Sequence, residues 1–148
     1  MEWKAEFATG IRNIDNQHKE IVEIVTLYET LAENKASWQE VQPLILRTRE
    51  FMEFHCSVEE SLMRLLPYPG CEAHRAEHRR ELQELADIGR WVQHADMRDR
   101  LAPLLRQRLI GHIVAGDKRL AQYALSLFGQ RSPGNGKDRI ADVAVNLE

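Results

Sequence analysis

The sequence predicts an all-α fold, an up-down-up-down antiparallel four-helix bundle with an N-terminal arm and a C-terminal tail. Three observations carry this expectation. Apolar residues recur at spacings of three and four through most of the chain, no stretch alternates with period two for long enough to make a half-buried strand, and turn signals break the periodic run at short intervals. With 148 residues, 43% of them hydrophobic, the chain has room for one real core. It needs neither disulfides nor a metal merely to fold, so any metal it binds must be explained by function.

The segment Met1 to Ile14, with Trp3, Phe7 and a Thr9-Gly10 break, reads as an extended arm. A first helix follows, capped near Asp15 and running to about Glu33, with Ile14, Ile21, Val25 and Tyr28 inward. Ser37 with Glu40 three residues on is a capping box, and Pro43 is close enough to the start to be tolerated. The second helix continues to about Leu66, and its expected inward face is Leu44, Phe51, Phe54, Val58, Leu62 and Leu65. Pro67-Tyr68-Pro69-Gly70 cannot prolong it, because proline lacks the donor and clashes with the preceding turn. A third helix is expected from about Cys71 to His94, with Leu82, Leu85, Ile88 and Val92 inward, and a fourth from about Met97 to Phe128, with Leu101, Leu105, Leu109, Leu120 and Tyr123. Gly129 is a helix stop, Ser132-Pro133-Gly134-Asn135-Gly136 a flexible break, and Ile140, Val143, Val145 and Leu147 are weakly amphipathic. The expected division is a bundle over 1–128 and a linker or docking tail over 129–148.

Twenty Lys and Arg against 23 Asp and Glu give a formal charge of −3, without the basic excess of phosphate-backbone binders, so nucleic acid is not an expected partner. No apolar run approaches the ~18 residues of a spanning helix, and Met1-Glu2-Trp3-Lys4 lacks the order of a secretory signal. The expected setting is cytoplasmic, away from membranes. Cys56 and Cys71 are too few for a disulfide framework and read as reduced thiols.

The informative residues are polar groups on faces that should be apolar. His18 lies three before Ile21 and four after Ile14. His55 and Glu59 form an i,i+4 pair on the second helix, His74 and His78 another on the third, and the fourth supplies His112 and then Asp117. A single inward histidine is usually a hydrogen-bonded core residue. Five histidines and two carboxylates converging in one small bundle are different, because burying that much uncompensated polarity is costly at each group. His94, between Gln93 and Asp96, falls outside the pattern and is expected in solvent.

Seven ligands exceed a structural zinc site, and imidazole with carboxylate suits iron better than calcium or magnesium. Two six-coordinate irons offer about twelve positions. Five histidines, two bridging carboxylates and one bridging oxygen from solvent leave one position open, which suits a small diatomic ligand. The carboxylate-rich Glu-x-x-His pairs of O2-activating bundle enzymes are missing: three residues before the histidines stand Asp15, Met52, Cys71, Arg75 and Leu109.

From about residue 3 to 125 the chain resembles the bacterial hemerythrin family. The resemblance rests on Gly10-Ile11 and Ile14-Asp15-Asn16-Gln17-His18-Lys19, His55 to Glu59-Glu60, Leu62-Met63, Tyr68-Pro69-Gly70, His74 to His78, and His112-Ile113 to Asp117. It implies a non-haem di-iron centre with a bridging oxo or hydroxo group that binds O2 reversibly. His74, His78 and His112 would hold the saturated iron and His18 and His55 the open one, with Glu59 and Asp117 bridging. The alternatives at the same centre are an O2 or redox sensor coupled through the tail to a signalling output domain, and scavenging of NO or peroxide.

Two departures from the family pattern touch the pocket. Cys56 stands where Phe is frequent and Arg108 where Trp is frequent; the expectation is a small buried thiol and an arginine reaching to the rim. One spacing predicts irregular backbone. Positions five apart on a regular helix differ by about 140° in azimuth, so His112 and Asp117 can share a cluster only through a π-type widening, with Gly111 and Gly116 giving latitude.

Overall fold

The computed structural model describes residues 1–91 and 95–129, with side chains for all but 91, 95–99 and 128–129. Of the expected tail over 129–148 only Gly129, the last residue of the final helix, is described, and Val92 and His94 also lie outside the described residues. The described elements are helical: a 3-10 turn Ala5–Phe7, then α1 (Arg12–Glu33), α2 (Trp38–Leu65), α3 (Cys71–Trp91), α4 (Ala95–His112), a π-helical turn Ile113–Asp117, and α5 (Lys118–Gly129). The last three elements are contiguous and make the fourth rod of a four-helix bundle. Cross-helix contacts give the directions. Gln17 meets His55 and Tyr28 meets Thr48, Glu59 meets His74 while Ile45 lies near Gly89, and Glu29 meets Arg106 while His18 meets Asp117. Each of these pairs is antiparallel.

The helix ends follow from local chemistry. Asp15 does not cap α1, which starts three residues earlier with Ile11 as N-cap and no side-chain cap. Its carboxylate instead takes the arm's donors: Thr9 N at 2.6 Å, Thr9 Oγ1 at 2.7 Å and Gly10 N at 3.2 Å. Gly10 has φ +84°, a conformation open to glycine. At the far end of α1, Ala36 N bonds Leu31 O and Lys35 N bonds Ala32 O, a Schellman closure with Lys35 in the left-handed region at φ 50°. The Ser37 and Glu40 capping box opens α2, which runs through Pro43.

The inward stripe of α1 is as expected, with Ile14, Ile21, Val25 and Tyr28 buried. That of α2 is not. Phe54 and Leu65 are 52% and 60% exposed, and Leu44, Phe51, Val58 and Leu62 only half-buried, whereas Val41, Ile45, Met52, Cys56 and Met63 are buried. The helix carries two apolar stripes, and the packed one also bears Thr48, His55 and Glu59, which hide its apolar pattern. Leu85, Ile88, Leu101, Leu105, Leu109 and Leu120 are buried, while Leu82 and Tyr123 are half-buried.

One large apolar cluster joins Val25, Tyr28, Val41, Ile45, Leu85, Ile88, Leu101 and Leu105. Beyond it along the bundle comes a layer of polar side chains, and past those Ile14, Met63, Leu120 and Ala124 are buried again. The polar layer is thus enclosed in hydrocarbon along the bundle axis.

Candidate metal centre

All seven residues singled out in the sequence lie in that layer, and all are buried: His18, His55, Glu59 and Asp117 at 0%, His78 at 1%, His74 at 2% and His112 at 4% exposure. Each rod contributes. His18 comes from α1, His55 and Glu59 from α2, His74 and His78 from α3, and His112 and Asp117 from the fourth rod.

Asp117 reaches the layer because the backbone widens there. The turn Ile113–Asp117 is π-helical, as the five-residue spacing requires. Gly111 is not needed for space, since a Cβ there would meet nothing within 4 Å. Gly116 is needed, for space rather than latitude: a Cβ would lie 2.6 Å from His74 Cε1 and 3.0 Å from His74 Nδ1.

The donor atoms fall into two groups that share both carboxylates. Glu59, His74, His78, His112 and Asp117 form one, and His18, His55, Glu59 and Asp117 the other, with the atoms of each within 4.8 Å of one another. Asp117 divides its oxygens between them. Its Oδ2 lies 3.0 Å from His18 Nε2 and 3.4 Å from His55 Nε2, and its Oδ1 3.1 Å from His112 Nε2 and 3.6 Å from His74 Nε2. Glu59 Oε2 is 2.9 Å from His74 Nε2, 3.3 Å from His78 Nε2, and 4.0 Å from Nε2 of both His55 and His112.

Each of the five cage histidines turns Nε2 inward and Nδ1 toward an acceptor. His18 Nδ1 donates to Phe7 O at 3.0 Å, His55 Nδ1 to Gln17 Oε1 at 2.9 Å and His78 Nδ1 to Glu60 Oε1 at 3.3 Å. His112 Nδ1 lies 3.0 Å from Glu81 Oε2, and His74 Nδ1 3.5 Å from Glu77 Oε2. A neutral ring whose Nδ1 carries the proton aims a bare lone pair at the carboxylates, lone pair against lone pair. Only a further proton or a cation resolves that. Correspondingly, Nε2 of His55, His78 and His112, Oε1 of Glu59 and Oδ1 of Asp117 are buried without a hydrogen-bond partner.

The electrostatics point the same way. Burial alone would raise Asp117, but the charge of His112 and hydrogen bonds from His18 and His55 hold it well below the usual carboxylate range. Glu59 is lowered too, its burial and the Asp117 charge outweighed by His74, His78 and His55. His112, which burial would depress, is raised to about 9 by Asp117 and Glu81. The cage draws positive charge to its centre, and imidazole with carboxylate is a donor set suited to iron.

The residues behind the histidines escaped the sequence reading. Gln17 and Glu60 accept from Nδ1 of His55 and His78 and so fix their tautomer and orientation, while Glu77 and Glu81 set a negative charge 3.5 Å and 3.0 Å from Nδ1 of His74 and His112 without an aligned hydrogen bond. Only Glu77, three residues after His74 on the same helix, left a trace in the sequence, since Gln17, Glu60 and Glu81 back histidines of other helices. Of the two departures from the family pattern, Cys56 is the small buried thiol expected, and Arg108 is exposed and paired on the surface. Cys56 is 3% exposed, its thiol pushed up by burial and by Glu59, Glu81 and Asp117, and Arg108 is 47% exposed with its Nε 3.1 Å from Glu84.

Residues 9–124 match the family model of the hemerythrin HHE cation binding domain. A bacteriohemerythrin of Clostridium acetobutylicum is 33% identical over 51% of this chain, a match spanning 61% of that relative. One of Pseudomonas paraeruginosa is 30% identical over 75% of this chain and 72% of its own, and one of Stenotrophomonas maltophilia 28% identical over 86% and 84%. No solved structure matches the chain significantly. With the family model covering most of its length and the buried His, Glu and Asp cluster in place, this chain belongs to the hemerythrin HHE cation-binding domain family.

Proposed function

We propose that the chain binds O2 reversibly at a pair of non-haem irons, as a carrier, store or delivery protein. The observation that carries this reading is the pair of donor groups, five side chains and four, sharing Glu59 and Asp117. In it His74, His78 and His112 would hold one iron and His18 and His55 the other, with Glu59 and Asp117 available to both. The other half has one protein ligand fewer and so a place for a small molecule. The irons supply the electrons that O2 takes up and returns.

The chain's own residues prepare that chemistry. Met52, Leu105, Leu109 and Ile113 are buried and wall the bundle interior, keeping bulk water from the charged cage. Phe7 O and Gln17 hold the His18 and His55 rings, so that their Nε2 atoms need not reorient when a metal or ligand arrives. No described helix is long and apolar enough to cross a membrane, in keeping with a cytoplasmic protein.

Iron content with the visible spectrum tests the proposal. About two irons per chain and a charge-transfer band that fades on reduction and returns in air are expected; a single zinc, or iron indifferent to air, overturns it. Steady consumption of NO or peroxide in the same material would make scavenging the better reading.

A further inference from the structure

The five histidines are not backed alike. Behind His18 and His55 stand neutral acceptors, a backbone carbonyl and an amide, whereas His74, His78 and His112 each face a glutamate. Two of those glutamates are already neutralised from outside. Glu77 receives Arg119 at 3.2 Å and Glu60 receives Arg75 at 3.1 Å. Glu81 has no such partner: among the described residues the only cationic group on it is His112, and it is the most enclosed of the three, its side chain 14% exposed against 22% for Glu60 and 31% for Glu77. Its Oε2 is buried with no properly aligned hydrogen bond.

An unneutralised carboxylate in a place of low dielectric exerts more of its charge than one braced by arginine. Acting on the Nδ1–H of His112, it makes Nε2 a stronger electron donor. We infer that Glu81 is the residue that sets the electron richness of the three-histidine half, acting through His112, and so makes the two metals unequal: His74, His78 and His112 favour the ferric state more than His18 and His55. Glu81 touches no reacting atom, and its role is to tune and position His112. The inference rests on the di-iron reading above and adds to it the residue that differentiates the two halves.

The test compares Glu81→Gln with Glu60→Gln and Glu77→Gln in the full chain. The amide keeps the volume of Glu81 and an oxygen that can accept from His112, so the loss is one of charge. In anaerobic Fe(II) titrations, Glu81→Gln should weaken the tighter site about tenfold, at the low end of what such outer partners contribute. In redox titrations followed by absorbance, one of the two one-electron steps should move up by about 59 mV for a tenfold loss of ferric preference, with the other step in place. The arginine-braced variants should move it less, and Glu81→Asp should restore part of the shift. Potentials equal to wild type, or shifts no larger than in Glu60→Gln and Glu77→Gln, overturn the inference. Should wild type take up only one metal, the di-iron reading fails, and Glu81 is then judged on that metal's affinity: a tenfold loss in Glu81→Gln supports its action on His112, and an unchanged value overturns it.

Discussion

Replacing Gly116 by Ala separates site assembly from folding. The new methyl would lie 2.6 Å from His74 Cε1, 3.0 Å from Nδ1 and 3.2 Å from Glu77 Oε2. The His74 ring must retreat by about 0.8 Å to reach ordinary contact, because at 2.6 Å the electron clouds overlap and repel steeply. It has little room, standing 4.4 Å from the His78 ring, stacked 5.7 Å from His112, and 2.9 Å from Glu59 Oε2. Overpacking costs about 1–3 kcal/mol, and alanine in a helix returns up to about 1 kcal/mol relative to glycine. Metal-free Gly116→Ala should therefore be destabilised by no more than about 2 kcal/mol in a urea melt. The displaced His74 should nevertheless cost about 10-fold to 100-fold in iron affinity, as loss of correct ligand orientation does. Gly111→Ala is the control, because that Cβ meets nothing: it should leave iron binding unchanged and stabilise by about 0.5 kcal/mol. Equilibrium dialysis against Fe(II) under nitrogen gives the affinities. A Gly116→Ala protein that retains wild-type stoichiometry and affinity would falsify the claim that this close approach sets the His74 position.

Lys35→Gly should raise stability by about 1 kcal/mol, roughly 3 °C in Tm, because Lys35 closes α1 in a left-handed conformation that costs L side chains about that much; an unchanged or lower Tm in calorimetry refutes the strain. Asp15→Ala removes three acceptor contacts to Thr9 and Gly10 and should cost about 2 kcal/mol, with faster loss of iron to a chelator as the arm behind His18 loosens. Thr48 donates to Leu44 O, so Tyr28 donates to Thr48, and Tyr28→Phe should cost about 1 kcal/mol at neutral pH. Burial raises the Tyr28 pKa above its ordinary value, so its contribution is whole below about pH 10 and is lost as the unfolded chain ionises above it. Tyr28→Phe should flatten that alkaline fall in urea midpoints, and an unaltered slope would count against the burial argument.

How legible the molecule was depended on whether a residue's partner was near in sequence. The seven cage residues could be found because each interrupts an apolar stripe of its own helix. The π-helical turn was deducible from two of them, since 112 and 117 cannot share a side of a regular helix. The sequence pattern points to the wrong face of α2 because Phe51, Phe54 and Leu62 are more conspicuous than Ile45, Met52 and Met63, whereas His55 and Glu59 mark the phase of the packed stripe. Asp15 has the residue type of a cap, but its partners lie upstream in the arm. Glu60 and Glu81 act on histidines of other helices, and Glu77 lies one turn from its own, a spacing common on any solvated helix.

The widened turn also sets how the fourth rod can tolerate change. It accommodates one residue more than a regular ladder would, so a point substitution at 113, 114 or 115 leaves the direction of everything downstream intact. Excising one residue there would let the ladder close as a regular helix, with His112 and Asp117 four apart and everything downstream still on its own side. The regular helix just beyond has no such slack: each position swings the rod by about 100°, so excising Arg119 would rotate Leu120 and Ala124 away from the interior together and open the hydrocarbon seal beneath the cage.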